Sequence, residues 1–124
     1  MARILVIDDE EQLRGMLREL FEKMGHTVVE AENGDVGVQE YRKQPADVVI
    51  TDIVMPEKSG IGSILSLKRE YPDVKMIAIS GHSRVGDKDL LDLARELGAE
   101  YAMTKPFKMA EIADCVNKLL EEDE

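Results

Sequence analysis

The stretch ILVIDDEE, residues 4–11, joins a short run of apolar residues directly to four acids. A continuous run of branched apolar residues is typical of a β-strand that is buried on both faces of a sheet. Apolar residues at helical spacing follow between residues 13 and 24, and Gly25 is a suitable residue for ending a helix. The stretch therefore predicts a strand with acids at its carboxyl end, followed by a helix.

The alternation of a strand and a helix recurs four more times along the chain. The further predicted strands are residues 27–30, 47–51, 76–79 and 101–103. Strict alternation predicts a parallel sheet with helices on both faces, because parallel strands are joined by right-handed crossovers. Five units are too few for an eight-stranded barrel, so we predict an open, doubly wound α/β sheet. The polar stretch 80–87 is predicted to be a loop.

Composition and charge exclude several classes of protein. The 124 residues are 44% hydrophobic, which is enough for one core, and they contain no apolar run that could cross a bilayer. The formal net charge of −10 disfavours direct binding to nucleic acid or to an anionic membrane. The N-terminal apolar run is too short for a signal peptide, and the single cysteine, Cys115, fits a reducing, cytoplasmic setting. We expect one domain over residues 1–124, with 119–124 as the end of the last helix and an acidic tail.

Polar side chains follow the predicted strands at their carboxyl ends. The first strand ends in Asp8 and Asp9, the third in Asp52 and the fourth in Ser80, and Lys105 comes just after the fifth. In open parallel sheets, ligands bind beyond these ends. If the first and third strands are neighbours, three carboxylates converge, and like charges that lie close together need a cation. Ligands that are all oxygen favour Mg²⁺ over zinc.

Helix chemistry is an alternative explanation for part of this acidic cluster. Acids at a helix N-terminus accept hydrogen bonds from free amides and complement the helix dipole. We assign this role to Glu10 and Glu11. Asp8 and Asp9 still belong to the strand end, so the explanation is weaker for them.

Lys105 and Ser80 add groups that suit a phosphoryl ligand. Lys105 precedes Pro106, and a cis Lys-Pro bond would aim the lysine side chain in a fixed direction. The ammonium and Mg²⁺ would neutralise phosphoryl oxygens, and the Ser80 hydroxyl would donate a hydrogen bond. One of the carboxylates would then be the nucleophile.

The order and spacing of these motifs resemble the receiver domain of bacterial two-component response regulators, including the stand-alone chemotaxis regulators. The resemblance runs from about Arg3 to Leu120. It rests on IDDE at 7–10, TDIVMP at 51–56 with Gly60, SG at 80–81 and KPF at 105–107. It implies a five-stranded (βα)5 flavodoxin-like sheet with the strand order 2-1-3-4-5.

The resemblance also implies which acid reacts. Asp52 would be the phosphoacceptor and would take its phosphoryl group from a phosphohistidine of a sensor histidine kinase. In a phosphorelay it would pass the group onward to a histidine phosphotransferase. Mg²⁺ would be bound directly by Asp9, by Asp52 and by the backbone carbonyl of Val54, and through water by Asp8.

Further roles in the family pattern fall on residues around the acceptor. Lys105 would pair with the acyl phosphate, and Ser80 would turn toward it after transfer. Val54 and His82 occupy positions that flank the entrance of the site and tune hydrolysis of the phosphoryl group. An apolar Val54 is expected to shield the acyl phosphate from water, and an ordinary solvated loop residue is the alternative for His82.

One position departs from the family pattern. Receivers usually carry Tyr or Phe three residues before the lysine, and here that residue is Ala102. Tyr101 comes one residue earlier, which on a strand turns a side chain to the opposite face. We therefore expect Tyr101 to be a half-buried packing residue, and we expect the 80–87 loop to carry the signal with Gly81 and Gly86 as hinges.

Three classes of protein are compatible with such a sheet. A signalling module would change its affinity for a protein partner through the fourth helix, fifth strand and fifth helix, and a phosphorylation-dependent dimer is compatible with this. The alternative is a Mg²⁺-dependent phosphatase or phosphotransferase with an aspartyl-phosphate intermediate, but haloacid-dehalogenase-like enzymes place the nucleophile after the first strand. A flavodoxin-like redox protein needs a phosphate loop where this chain has four acids. We predict a receiver that catalyses only its own phosphorylation and dephosphorylation, either alone, in a phosphorelay or as part of a longer regulator.

Overall fold

The computed structural model describes residues 1–53, 60–81, 84–85 and 88–121. The strands in chain order are β1 (Arg3–Ile7), β2 (Thr27–Ala31), β3 (Val48–Asp52), β4 (Met76–Ser80), β5 (Arg84–Val85), β6 (Lys88–Asp89) and β7 (Tyr101–Thr104). The helices are α1 (Glu11–Lys23), α2 (Gly34–Lys43), α3 (Gly60–Glu70), α4 (Leu90–Glu96) and α5 (Met109–Glu121). Within the described ranges, every helix is too short or too polar to cross a membrane.

The larger sheet has five parallel strands in the order β2-β1-β3-β4-β7. Because β7 is the fifth strand of this sheet, the predicted doubly wound architecture and the order 2-1-3-4-5 are confirmed. β1 and β3 are neighbours, with Ile7 opposite Thr51. The acids that follow Ile7 and Thr51 therefore reach the same edge of the sheet.

Two hydrophobic clusters fill the two faces of this sheet. Ile4 and Val6 of β1 belong to the cluster beneath α1 and α5, whereas Leu5 and Ile7 belong to the one beneath α2, α3 and α4. Alternate residues of a strand point to opposite faces, so a strand covered on both sides is apolar throughout. This explains why the continuous apolar run at residues 4–7 is a central strand.

The stretch after β4 differs from the predicted loop. β5 and β6 pair with each other as a two-stranded antiparallel ladder that leads into α4. Strands of two residues show no alternation of apolar and polar positions, so periodicity could not reveal them. Residues 82–83 and 86–87, which include the expected hinge Gly86, lie outside the described residues.

The orientation of Tyr101 in β7 agrees with the sequence prediction. Tyr101 is half-buried and packs against the cluster beneath α1 and α5. Ala102 packs against the opposite cluster. The position three residues before Lys105 therefore offers only a methyl group on the face where the family usually has an aromatic ring.

Gly37 allows α2 to approach β1 closely. A Cβ atom at Gly37 would lie 2.6 Å from Cγ1 of Ile7 and would also overlap its Cδ1. Ile7 is only 1% exposed, so its side chain has little room to move. The short contact between this helix and the sheet requires glycine at this position.

We expect Gly37→Ala to lower the free energy of unfolding by about 1–3 kcal/mol, because the added methyl group overpacks the core. Gly15→Ala in α1 is the matched control, since a Cβ atom at Gly15 would meet no described side chain within 4 Å apart from its chain neighbours. The control should gain up to about 1 kcal/mol from helix propensity. Urea unfolding followed by circular dichroism measures both changes. Equal stabilisation of the two variants would contradict the proposed packing constraint.

Candidate functional site

Main-chain hydrogen bonds fix the backbone beyond the carboxyl ends of the central strands. The amide of Asp8 donates to the carbonyl of Ala31 at 3.0 Å, and the amide of Ile53 donates to that of Ile79 at 2.8 Å. The amide of Lys105 donates to the Ser80 carbonyl at 2.8 Å. These bonds extend the sheet ladders past the strand ends, so the side chains at this edge project from an ordered backbone.

The ammonium group of Lys105 lies among three carboxylates. Its Nζ atom is 2.6 Å from Oε1 of Glu10, 2.9 Å from Oδ2 of Asp52 and 3.3 Å from Oδ2 of Asp8. The side chains of Asp8 and Asp52 are only 2% and 5% exposed, whereas that of Glu10 is 58% exposed. Two buried acids therefore share one cation, and a third acid closes the group from the solvent side.

Burial changes the proton affinity of Asp8. Burial, and to a lesser extent the charge of Asp52, raise the pKa of this carboxyl, so that it lies at about 6. The hydrogen bond from the Glu10 amide to Oδ1, at 2.8 Å, and the attraction of Lys105 oppose this rise. The site thus holds more negative charge than its one ammonium group compensates.

The pKa of Lys105 is shifted in the direction that favours its charge. Burial acts to lower this pKa, but the hydrogen bonds to Glu10 and Asp52 and the charges of Asp52 and Asp8 outweigh that effect and raise it. The group therefore stays an ammonium ion across the physiological pH range and can neutralise an anionic ligand.

The structure brings Asp8, Asp52 and Lys105 together and leaves Asp9 outside the group. Carboxylate oxygens of Asp8, Glu10 and Asp52 all lie within 4.8 Å of one another, an arrangement that could hold a metal ion. The side chain of Asp9 is exposed. Its direct contact with Mg²⁺ remains a prediction from the family pattern.

The capping hydrogen bond predicted for the Glu10 side chain is wrong. Glu10 is the N-cap residue of α1, but its side chain makes no capping hydrogen bond and instead pairs with Lys105. Glu11 lies in the first turn of α1, as expected of an acid that complements the helix dipole. An acid beside a helix start most often caps it, and the partner of Glu10 is 95 residues away in the chain, so local sequence rules could not find this contact.

The remaining predicted site residues flank this centre. Ser80 is fully buried at the end of β4, next to the strand that carries Asp52. The Lys105–Pro106 peptide bond is cis. Val54 and His82 lie outside the described residues, so their roles stay predictions.

Comparison with known proteins identifies the family. The family model of the response regulator receiver domain matches residues 4–117. The chain belongs to this family. It is 33% identical over 118 residues to a chemotaxis protein CheY of Thermotoga maritima, a match that covers 94% of this chain and 96% of that protein.

Solved structures of this family resemble the chain over almost its whole length. A response regulator receiver domain protein from Clostridium thermocellum has a TM-score of 0.89 at 31% identity. The match covers 99% of this chain and 97% of that protein. The response regulator protein TrrA of Thermotoga maritima, solved in complex with Mg²⁺-BeF, has a TM-score of 0.84 at 32% identity. This match covers 96% of this chain and 99% of that one.

The chain is thus a receiver domain of a response regulator in two-component signalling. Phosphorylation of an aspartate and binding of Mg²⁺ at an acidic pocket are general features of this family, and receivers such as CheY are in general signalling modules. The carboxylate oxygens of Asp8, Glu10 and Asp52 form the kind of hard, all-oxygen donor set that Mg²⁺ prefers.

Asp8→Asn is expected to stabilise the metal-free protein. Asparagine keeps an oxygen for the Glu10 amide and removes the buried charge. A pKa raised from 3.8 to about 6 corresponds to at most ~3 kcal/mol, so we expect a gain of about 1–2 kcal/mol in the free energy of unfolding at pH 7. Urea unfolding in the presence of a metal chelator measures it.

The difference in the free energy of unfolding between Asp8→Asn and the parent should depend on pH in one direction. A raised pKa means that the folded state binds the proton more tightly, so the parent loses stability as the pH rises from near 4 to about 6. The gain of the variant should therefore be largest at pH 7 and vanish toward pH 4. Asp9→Asn, at an exposed position, should change stability by less than about 0.5 kcal/mol. A variant at Asp8 that is less stable than the parent at pH 7 would contradict the argument.

Proposed function

We propose that Asp52 of this receiver accepts a phosphoryl group from a phosphohistidine of a sensor histidine kinase, in a reaction that requires Mg²⁺, and that a histidine phosphotransferase is the partner to which a phosphorelay would pass the group. The resulting change in the site would alter the affinity of the chain for a protein partner. The observation that carries the proposal is the buried Asp52 carboxylate with the Lys105 ammonium 2.9 Å away, at the carboxyl edge of a receiver sheet.

The surroundings of the two buried acids favour Asp52 over Asp8 as the nucleophile. One oxygen of Asp8 accepts the amide hydrogen bond of Glu10, and burial raises the pKa of this carboxyl to about 6, so its charged form is disfavoured. Asp52 ends the central strand β3, between the strand that leads to Asp8 and the strand that ends in Ser80.

The transfer step balances with the groups at this edge. A carboxylate oxygen of Asp52 forms a bond to phosphorus, the bond between phosphorus and the histidine nitrogen breaks, and the imidazole keeps that electron pair. The Lys105 ammonium, already 2.9 Å from Asp52, would neutralise oxygens of the transferred group. Ser80, at the end of the neighbouring strand, would donate a hydrogen bond to one of them.

Mg²⁺ would be held by Asp9, Asp52 and the backbone carbonyl of Val54, with Asp8 acting through water. When bound, the ion supplies positive charge that draws the anionic donor to the acids. A metal ion at this edge is supported by the oxygen-rich group of Asp8, Glu10 and Asp52 and by the relative TrrA, which was solved in complex with Mg²⁺-BeF. Val54 would shield the acyl phosphate from water, and His82 would flank the entrance.

The partner of the phosphorylated chain would bind the face formed by α4, β7 and α5, and a phosphorylation-dependent dimer through this face is compatible with the proposal. The free thiol of Cys115 fits a role in the cytoplasm. We propose that residues 1–124 act as one receiver domain.

Incubation with acetyl phosphate tests the phosphotransfer mechanism. Intact-mass spectrometry should detect a single phosphoryl adduct on the parent in the presence of Mg²⁺ and none after chelation. Asp52→Asn should show no adduct, because the amide cannot act as the nucleophile. Asp73→Asn is the matched control, since Asp73 is an exposed aspartate, and it should be modified like the parent.

Two outcomes would contradict the proposal. An adduct of equal yield on Asp52→Asn would place the phosphoacceptor elsewhere. Rapid turnover of a small phosphomonoester by the parent, lost in Asp52→Asn, would instead support the alternative of a Mg²⁺-dependent phosphatase with an aspartyl-phosphate intermediate.

A further inference from the structure

Arg14 of α1 makes a contact with the acidic site that the proposed phosphotransfer does not use. Its guanidinium Nη1 donates a hydrogen bond of 2.7 Å to the backbone carbonyl of Asp8. Its Nε donates to Oε1 of Glu30 in β2 at 3.2 Å. The Arg14 side chain is only 15% exposed, so both bonds are largely shielded from water.

Glu30 is itself held on both of its carboxylate oxygens. Nε of Arg18, one turn further along α1, lies 2.9 Å from the second oxygen, Oε2. Arg18 also donates to the backbone carbonyl of Val28 at 2.9 Å. The two arginines thus hold α1 against β2. They differ in one respect: Arg14 binds the carbonyl of Asp8, whereas Arg18 binds the carbonyl of Val28.

The carbonyl bound by Arg14 belongs to the peptide group that joins Asp8 to Asp9. The amide on the other side of Asp8 is bonded to Ala31 of β2. The backbone of Asp8 is therefore held from both directions. A change of ψ at Asp8 would break the bond to Arg14 and would move the Cα atom from which the carboxylate of Asp9 projects relative to the buried carboxylate of Asp8.

We propose that Arg14 is a positioning residue of the metal centre, which fixes the Asp8–Asp9 peptide so that both carboxylates are preorganised for Mg²⁺. This inference rests on the metal site described under Proposed function. Partners that orient metal ligands without touching the metal contribute strongly to affinity, and their loss typically weakens metal binding by about 10–100-fold. Arg14 carries this role and Arg18 does not, because only Arg14 binds the Asp8 carbonyl.

Titration of the metal-free protein with MgCl2 alone, followed by isothermal titration calorimetry, tests the inference. Arg14→Gln should raise the Mg²⁺ dissociation constant by about 10-fold or more. Arg18→Gln is the matched control, since it also loses a contact with Glu30 and one main-chain carbonyl, and its dissociation constant should stay within about twofold of the parent. Urea unfolding of both variants establishes whether their losses of stability are similar.

Arg14→Lys is a second, more conservative variant that keeps the test valid if Arg14→Gln does not fold. Lysine has one ammonium group and can reach one of the two partners, so its Mg²⁺ affinity should lie between those of Arg14→Gln and the parent. Equal weakening by the variants at Arg14 and Arg18 would mean that the contacts of the two arginines are only structural and would overturn the inference. Unchanged affinity in Arg14→Gln would overturn it while leaving the metal site intact. A parent that binds no Mg²⁺ would refute the metal site and the positioning role together.

Discussion

The arrangement of the sheet edge depends on the Lys105 ammonium, which lies within 3.3 Å of oxygens from three acids. Two carboxylates buried at one edge would repel each other strongly in a region with little water. Lys105 compensates that repulsion. It follows β7, and β4 lies between β7 and β3, the strand that ends in Asp52.

Compensation by one cation is incomplete, and this links stability to function. Burial raises the pKa of Asp8, so the charged form of this acid is disfavoured in the folded protein and Asp8 destabilises the metal-free fold at neutral pH. A divalent cation would relieve the same repulsion and stabilise the folded state by binding. Sites that concentrate unfavourable charge are typical of proteins whose activity, rather than whose stability, requires those residues.

The sequence predicted those features of the fold that depend on periodicity, and it missed contacts between distant residues. Apolar runs located the five strands of the larger sheet. The alternation of side chains along β7 placed Tyr101 and Ala102 on opposite faces. Asp8, Asp52 and Lys105 could be grouped because each follows a parallel strand. Glu10 could not, since its contact is with a lysine 95 residues away, and the two-residue strands β5 and β6 have no pattern to detect. The hydrogen bond from Arg14 to the Asp8 carbonyl could not be predicted either, because a backbone carbonyl is present at every residue.

Ala102 constrains how a change at Asp52 could reach the rest of the molecule. A ring at this position would lie on the face of the cluster beneath α2, α3 and α4, whereas Tyr101 lies on the other face, against the cluster beneath α1 and α5. If Ser80 turns toward a phosphoryl group, a methyl group at position 102 cannot follow it into the vacated space. The Ser80 carbonyl, however, accepts the Lys105 amide at 2.8 Å, so both groups that would contact the phosphoryl oxygens share one main-chain bond between β4 and β7. The main-chain bond between β4 and β7 therefore joins Ser80 to Lys105 without any contribution from a side chain at position 102.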